Sequence, residues 1–378
     1  MSHIINHIKK YNDIHIDDIL VKLAKDFKIV QNESLCMLKY VNKMDSNDTI
    51  RKTRGIILDK QSKKIVSYPL EGKISLEVFK SLVDWKDVVI EESIDGTLIN
   101  MYYYNNTWNY STNSTLNANC YWNSKHSFKE LFIDTLKLYN FNKEILNKNY
   151  TYSFILCHPE TRNVSAYNEP KIYHILSRNL DTGKEICLNL HIPKPKILKL
   201  DEINKLHCYS YKDLFSYCSK LNYNKEGVML FSKDRLYRTK IKGKNHIMVR
   251  NIRGNHSNIY YTILEAIRYN THNRIQKFLK YFPEYITTYN TIKKKIDLLC
   301  SELLHEYTEI KKNKNKQFRN TYKYNKAVKE LHSQYIFLIK SYKPTIHSYK
   351  PNINNKKIYH YITKEMDITY LVYLLSTL

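Results

Sequence analysis

The chain has 378 residues, and 61 Lys and Arg against 36 Asp and Glu give it a formal net charge of +25 at pH 7. A hydrophobic fraction of 43% with only 7 Gly and 8 Pro excludes a chain of long flexible linkers and predicts a folded protein of up to two domains. The charge favours a polyanion such as nucleic acid as partner, although an A/T-rich coding sequence would also yield abundant Lys, Asn, Ile and Tyr.

The first 50 residues are predicted to be helix-prone with short strands. Apolar residues recur there every three or four positions, at Ile16, Ile19, Leu20, Leu23 and Phe27. This spacing puts them on one face of a helix.

From about residue 54 to 255 the pattern changes to short β-type runs separated by polar turns. The predicted strands are Gly55–Leu58, Lys64–Tyr68, Val88–Glu91, Thr97–Tyr104, Trp108–Thr112, Tyr150–Cys157, Lys171–Ser177, Gly227–Ser232 and Leu236–Ile241. Helices are predicted over Phe128–Tyr139 and Tyr211–Leu221. This order of elements predicts an α+β domain with antiparallel sheets over residues 1–255.

After residue 256 the apolar spacing becomes helical throughout. The predicted helices are Ile259–Tyr269, Arg274–Tyr281, Tyr289–Lys312 and Asn320–Ile339. Residues 256–378 are therefore predicted to form an all-α domain. The basic run KKNKNK at 311–316 is typical of a solvated helix end or loop.

The sequence also argues against a disulfide-rich protein, a membrane-spanning protein, a zinc enzyme and a P-loop enzyme. The seven Cys form no C-x-x-C pair and are odd in number, which favours thiols in a reducing, cytoplasmic compartment. No stretch reaches the ~18 apolar residues of a membrane span. Neither an H-x-x-x-H zinc pair on a convincing helix nor a G-x-x-x-x-G-K-[ST] phosphate loop is present.

Five short segments, spread over about 190 residues, form an ordered series of motifs. They are TRGIILD (53–59), EESIDGTLI (91–99), YTYSFILCHPETRNV (150–164), EGVMLF (226–231) and YRTKIKGK (237–244). Together with KIYHILSRNLDTGK (171–184), they resemble the phage-type ATP-dependent RNA ligases that repair tRNA. That family is a branch of the covalent nucleotidyltransferase superfamily of ligases and mRNA-capping enzymes.

The resemblance implies a fold, a reaction and its cofactors. The fold would be an ATP-grasp-like ligase adenylation domain followed by a helical domain that could select RNA. In the implied reaction a lysine attacks the α-phosphorus of ATP, AMP passes to an RNA 5′-phosphate, and a 3′-hydroxyl displaces AMP. ATP, Mg²⁺ and a tRNA-like or nicked RNA are the implied cofactors and substrate.

Several implied site residues are retained. Arg54 matches an arginine that approaches the nucleotide, and Lys73 matches a pocket lysine upstream of the nucleophile. Glu226, followed by Gly227, matches a carboxylate associated with the metal. Lys240 and Lys242 alternate on one strand face and match a phosphate-contacting pair. Without the resemblance, these two lysines would suggest only an exposed strand of a Lys-rich protein.

The nucleophile itself is missing. Where the family has Lys-x-Asp-Gly, this chain has Ser93-Ile94-Asp95-Gly96. Asp95 can still organise the loop, and Gly96 can still let the backbone approach a nucleotide. The hydroxyl of Ser93 is barely nucleophilic without an adjacent base.

Other departures are expected to cluster in the same nucleotide pocket. Ser153 replaces a glutamate between Tyr152 and Phe154, and Asn113 stands where a basic residue is usual. Ile74-Ser75 replaces an aromatic pair after Lys73. His158, in the Pro-containing loop, is not expected to be catalytic.

Three functions remain open from the sequence. The chain could be a ligase whose nucleophile is another lysine, such as Lys73 or Lys86. It could seal only RNA ends that already carry AMP. It could also be a non-catalytic RNA-binding pseudoenzyme, and self-adenylation is expected to be impaired or lost.

Overall fold

The computed structural model describes residues 27–40, 51–199, 208–312, 323–341 and 352–378, together with the isolated residues 18, 25 and 202. The chain separates into two compact units, Met1–Asn251 and Ile252–Leu378. The sequence places the boundary between residues 255 and 256.

Three antiparallel sheets form the described part of the first unit. The first contains, in order, β1 (Phe27–Gln31), β2 (Leu35–Tyr40), β3 (Arg54–Asp59) and β4 (Ile65–Ser67). The second is built, in the order β10-β9-β8-β6-β7, from β6 (Thr97–Tyr104), β7 (Thr107–Ser111), β8 (Tyr150–Cys157), β9 (Lys171–Asn179) and β10 (Glu185–Ile186). The third is built, in the order β11-β5-β12-β13, from β5 (Val88–Ser93), β11 (Ile197–Leu198), β12 (Gly227–Ser232) and β13 (Arg238–Lys242).

Alternation along the third sheet gives it one apolar face and one mixed face, on which charged residues lie beside Met229 and Phe231. The apolar face, with Ile90, Leu230 and Ile241, packs on two helices, α1 (Leu76–Leu82) and α3 (Tyr211–Lys220). Successive side chains of a strand point to opposite faces, so the residues between these core positions point the other way. The opposite face of the sheet is therefore available to line a cleft.

The second sheet has its own core on the face away from that site. Ile99, Met101 and Phe154 pack there against Phe132 of α2 (Phe128–Leu138). A capping box starts α2, because the Ser127 hydroxyl accepts from the Glu130 amide while the Glu130 carboxylate accepts from Ser127.

The described part of the second unit is helical. It follows α4 (Lys244–Arg253), which crosses the boundary between the units, and contains α5 (Ile259–Arg268), α6 (Arg274–Tyr281), α7 (Ile286–Tyr307), α8 (Asn325–Ser341), α9 (Asn355–His360) and α10 (Ile368–Ser376). Single π-helical turns follow α7 and α9. No described helix has the length and apolar content needed to span a bilayer.

The predicted fold class, an α+β region with antiparallel sheets followed by an all-α region, is confirmed. The predicted helix over residues 16–27 falls mostly outside the described residues, but Phe27 begins β1 and is not helical. The last strand of the first unit starts at Arg238 and not at Leu236, because Arg235 has a left-handed φ of 59° in the preceding turn. Helix α1 was missed; it begins where Ser75 caps the amide of Val78.

Candidate functional site

A cleft of about 760 Å³ lies between the mixed face of the third sheet and the second sheet. Leu98 and Ile155 line it from the second sheet, and Glu91, Met229 and Phe231 line it from the third. Predicted site residues that reach its wall are Arg54, Lys73, Ser93, Asp95, Gly96, Glu226, Lys240 and Lys242. Lys86, Asn113, Ser153 and His158 do not line it.

Strand pairing brings Ser93 to the predicted carboxylate and lysines. Gly227 is the register partner of both Ser93 on β5 and Lys242 on β13, so Glu226 lies at the same end of the sheet as both. The Ser93 hydroxyl donates to Glu226 Oε2 over 2.7 Å. Lys240 Nζ lies 2.8 Å from Oε2, and Lys242 Nζ lies 3.0 Å from Oε1.

Electrostatics keep Glu226 ionised. Its side chain is only 5% exposed, and burial alone would raise the pKa of this carboxyl. The charges of Lys240 and Lys242, with hydrogen bonds from Lys240 and Ser93, outweigh burial and hold the pKa far below its usual range. Burial in turn lowers the pKa of Lys240, which Glu226 partly offsets.

Gly227 is required by the backbone that positions Glu226. Its φ of +135° is rarely adopted by residues with side chains, and a Cβ atom would lie 2.0 Å from the Ile241 carbonyl oxygen. The glycine therefore lets β12 approach β13 at the end where Glu226 meets its lysines.

The Asp95-Gly96 turn forms another part of the wall. Asp95 Oδ2 accepts from the amides of Val164 and Ser165, over 3.0 and 2.8 Å, and so ties the loop after β8 to the turn. A Cβ on Gly96 would lie 2.5 Å from Ile155 Cγ2. Packing of β6 on β8 therefore explains this glycine without a bound nucleotide.

Lys73 is held beside β13 by its chain neighbour. The Ile74 amide donates to the Arg238 carbonyl over 3.0 Å, and Thr239 Oγ1 donates to the Ile74 carbonyl over 2.9 Å. Desolvation in the cleft, followed by the charges of Lys240 and Lys242, lowers the pKa of Lys73 to about 8. The residue as a whole is exposed, whereas its amine is largely desolvated by the cleft wall that it lines.

Asn113 and Ser153, two positions that depart from the resembled family, are connected by hydrogen bonds through Asn100. Ser153 Oγ donates to Asn100 Oδ1 over 2.7 Å, and Asn100 Nδ2 donates to Asn113 Oδ1 over 3.1 Å. Ser153 and Asn100 are fully buried. Asn113 and Ser153 do not line the cleft, whereas Ile74 and Ser75, the other substituted positions, do.

Asp95, Glu226 and His246 could hold a metal ion. One ligand atom from each lies within 4.8 Å of the other two. A carbonyl oxygen can only accept, so His246 Nδ1 donates to the Tyr223 carbonyl, 3.0 Å away, and leaves the Nε2 lone pair for a metal. Nε2 is buried and has no hydrogen-bond partner among the described residues.

Sequence reasoning missed His246, Arg238 and Arg250, of which the two arginines line the cleft. Arg238 could have been found from the alternation that places it on the strand face of Lys240 and Lys242. His246 lies four residues past Lys242 on α4, where no spacing in the sequence relates it to Asp95 or Glu226.

Comparison with known proteins places these features in context. No protein-family model matches the chain. It is 25% identical over 292 residues to the immediate-early protein ICP-46 homolog of Invertebrate iridescent virus 3, which covers 70% of this chain and 62% of that protein. It is 25% identical over 256 residues to a bifunctional polynucleotide kinase/RNA ligase proposed for Autographa californica nuclear polyhedrosis virus, which covers 60% of this chain and 35% of that protein. The chain thus spans less than two thirds of either relative.

A solved structure of an archaeal ATP-dependent RNA ligase is also similar. It has a TM-score of 0.44, 11% sequence identity and coverage of 72% of this chain and 72% of that one.

Proposed function

We propose that this chain is an RNA ligase-like nucleotidyltransferase of the phage tRNA-repair type, which binds RNA and ATP in the cleft without forming a covalent bond to AMP at Ser93. One observation carries the proposal. Ser93 occupies the lysine position of the Lys-x-Asp-Gly pattern in the cleft wall, and its hydroxyl proton is donated to Glu226. The similarity to a viral RNA ligase supports the kinship.

Ser93 is poorly placed to replace the missing lysine. Glu226, its hydrogen-bond partner, is held ionised by Lys240 and Lys242 and is therefore a weak base for the Ser93 proton. The hydroxyl is also buried, with Ser93 only 4% exposed. Loss of the nucleophile removes the covalent route and leaves the positive groups that bind phosphate.

The surviving groups suit a nucleotide and a divalent ion. Arg54, Lys73, Lys240 and Lys242 would face the phosphates of ATP. Asp95, Glu226 and His246 would hold the ion, and a site with one imidazole favours Mn²⁺ or Zn²⁺ over the all-oxygen preference of Mg²⁺. When bound, that ion would neutralise phosphate charge.

The test is protein labelling by ATP that carries a radioactive α-phosphate, with Mg²⁺ or Mn²⁺. We expect no label on the wild-type protein or on Ser93→Ala. Label on the wild type that disappears in Ser93→Ala would show that Ser93 accepts AMP and would refute the proposal.

RNA binding is tested separately from chemistry. Each phosphate contact releases counterions, so log K for single-stranded RNA should fall against log salt with a slope of about −0.7 per contact. A nicked stem-loop should bind more tightly than an uninterrupted duplex if the substrate is tRNA-like. Affinity that is independent of salt would contradict binding through the cleft lysines.

A second candidate function is favoured by Lys73. Its amine lines the same cleft and has a pKa of about 8, so about a tenth of it is unprotonated and nucleophilic at pH 7. Attack by Nζ on the α-phosphorus of ATP would form the P–N bond, break the bond to the pyrophosphate leaving group and release one amine proton to water.

The same labelling experiment separates the two candidates. Label that persists in Ser93→Ala and is lost in Lys73→Arg would support Lys73 as the nucleophile. Lys86→Arg is the matched control, because Lys86 is exposed and outside the cleft. Mapping of the labelled peptide identifies the modified lysine directly.

A further inference from the structure

Two lysines on neighbouring strands of the first sheet lie directly opposite each other. Lys28 on β1 is the register partner of Lys39 on β2. Register partners of an antiparallel pair point to the same side of the sheet with Cβ atoms about 5 Å apart, and like charges placed in this way are destabilising. Burial, followed by the charge of Lys28, lowers the pKa of Lys39. The two ammonium groups therefore repel each other in the free protein.

The acidic residues in the described strands and turns of this sheet are too distant to offset the repulsion. They are Glu33, in the turn after β1, and Asp59, at the end of β3. Asp59 is the register partner of Leu35, which lies four residues from Lys39 and so about 13 Å away along β2. The Lys39 amine donates instead to the uncharged carbonyl of Ser114, over 3.4 Å. This end of the sheet thus carries excess positive charge.

The next strand continues this row of cations into the cleft. Arg54 on β3 is the register partner of Lys39, and Gly55 is the extra residue of a β-bulge between this pair and the next. Bulges redirect side chains, and Arg54 lines the cleft whereas Lys28 and Lys39 do not. At ~4.8 Å between neighbouring strands, the row covers about 10 Å from the exposed Lys28 to the cleft wall.

A linear polyanion fits this arrangement better than a single small anion does. Cations that bind one phosphate converge on a point, whereas these three lie in single file from an exposed edge strand to the cleft. Each side chain can therefore contact a different phosphate of one strand. Such contacts position a nucleic acid but do not read its bases, and a lysine ammonium acts in them as a point charge.

We propose that Lys28, Lys39 and Arg54 form a phosphate track, which holds the backbone of a single RNA strand whose end lies in the cleft. This inference rests on the proposed function and deepens it by assigning a path to the RNA outside the cleft. Phosphates that lie along the phosphate track relieve the repulsion between Lys28 and Lys39. The phosphate track therefore adds affinity for RNA without adding a sequence preference.

The experiment measures the affinity for single-stranded RNA of about 12 nucleotides by fluorescence anisotropy against salt concentration. Lys28→Gln and Lys39→Gln should each reduce the slope of log K against log salt by about 0.7, because one phosphate contact and its released counterions are lost. Relative to the limit of about 1 M salt, this slope corresponds to about eightfold weaker binding at ~50 mM salt for each lysine removed. Two RNAs of equal length and different sequence should lose affinity equally.

Urea unfolding of the free protein separates RNA binding from a purely structural role. Removal of either lysine relieves the repulsion, so the urea midpoint should rise or stay unchanged in Lys28→Gln and Lys39→Gln. The amide of Gln at position 39 can still donate to the Ser114 carbonyl. A lowered midpoint with unchanged RNA affinity would show that the lysines only stabilise the sheet, and the inference would then be wrong.

Lys137→Gln on α2 is the matched control for net charge. Its side chain is 71% exposed and pairs with Asp134 over 2.7 Å, so its loss should leave the RNA affinity unchanged. ATP probes the cleft, and its affinity should be equal in all variants because neither Lys28 nor Lys39 lines the cleft. Equal RNA affinities and salt slopes in the wild type and both phosphate-track variants, or an equal loss in Lys137→Gln, would overturn the inference and leave the proposed function standing. Failure of the wild-type protein to bind RNA would instead contradict the proposed function.

Discussion

Replacement of Glu226 by Gln tests the electrostatic centre of the cleft. The substitution keeps the size of the side chain but removes the negative charge that faces Lys240 and Lys242 over 2.8 and 3.0 Å. It also removes the charge that supports protonation of Lys73. Three ammonium groups would then share the cleft wall with no opposing carboxylate on Glu226.

The expected loss of unfolding free energy is large for one conservative change. Removal of one partner of a buried ion pair costs about 3–5 kcal/mol. We expect about 3 kcal/mol, the lower end, because the Lys242 side chain remains 26% exposed and can be partly rehydrated. A phosphate-rich ligand should recover part of this loss, because it binds the folded state.

The assay is urea unfolding at pH 7 followed by tryptophan fluorescence. All three tryptophans, at positions 85, 108 and 122, lie in the first unit, so the signal reports the unit that contains the cleft. Asp87→Asn is the matched control, since its pair with Lys233 is a surface pair worth about 0–1 kcal/mol. A loss below about 1 kcal/mol in Glu226→Gln, similar to the control, would refute the reasoning.

Acid should weaken the same cluster. The pKa of Glu226 is lower in the folded than in the unfolded chain, so its contribution to stability is complete above the unfolded value and is lost as pH falls toward the folded one. Glu226→Gln should therefore flatten the decline of stability below about pH 4, near the unfolded pKa of a glutamate. Unchanged acid sensitivity in the variant would show that other carboxylates govern this decline.

Further predictions concern other residues of the site. Gly227→Ala should lower the free energy of unfolding by about 1–3 kcal/mol through backbone strain, and by more through the clash with Ile241. In Gly254→Ala the new Cβ meets no atom closer than 4.0 Å, so the loss should be smaller. Urea unfolding of the two variants compares these losses. Lys73 binds fewer protons when folded than when unfolded between pH 8 and 10.5, so it contributes a rise in stability over that range, which Lys73→Met should abolish in unfolding curves measured against pH. Mn²⁺ affinity, measured by electron paramagnetic resonance, should fall by at least about tenfold in His246→Gln, and an unchanged value would exclude His246 as a ligand.

Much of the first unit could be predicted because its strands carry local signals. The β-type runs of β6 and β8 were placed at the bounds later found, because polar turns delimit them. Helix α1 was missed because it has only seven residues and is defined by the cap at Ser75 more than by periodicity. The cap gives Ser75, one of the two residues that stand in place of an aromatic pair, a structural role.

The sequence predicted which motif residues share the cleft, but it did not predict contacts made by residues outside those motifs. Ser93, Glu226 and the alternating lysines were expected to share a cleft, and the structure brings them there. The surroundings of Arg238 could not be foreseen, because Glu71 and Glu185, which act on its charge, also form ion pairs with Arg178 and Arg235 from other parts of the chain. The link between Asn113 and Ser153 likewise required the position of Asn100 on β6.

The hydrogen-bond chain from Ser153 through Asn100 to Asn113 restricts which side chains these positions can accept. Installing a glutamate at Ser153 alone would place a carboxylate in a fully buried position against an asparagine that already has its own partner. A change at position 153 is therefore expected to be tolerated only with compensating changes at Asn100 or Asn113, so these three positions should respond to mutation as a unit.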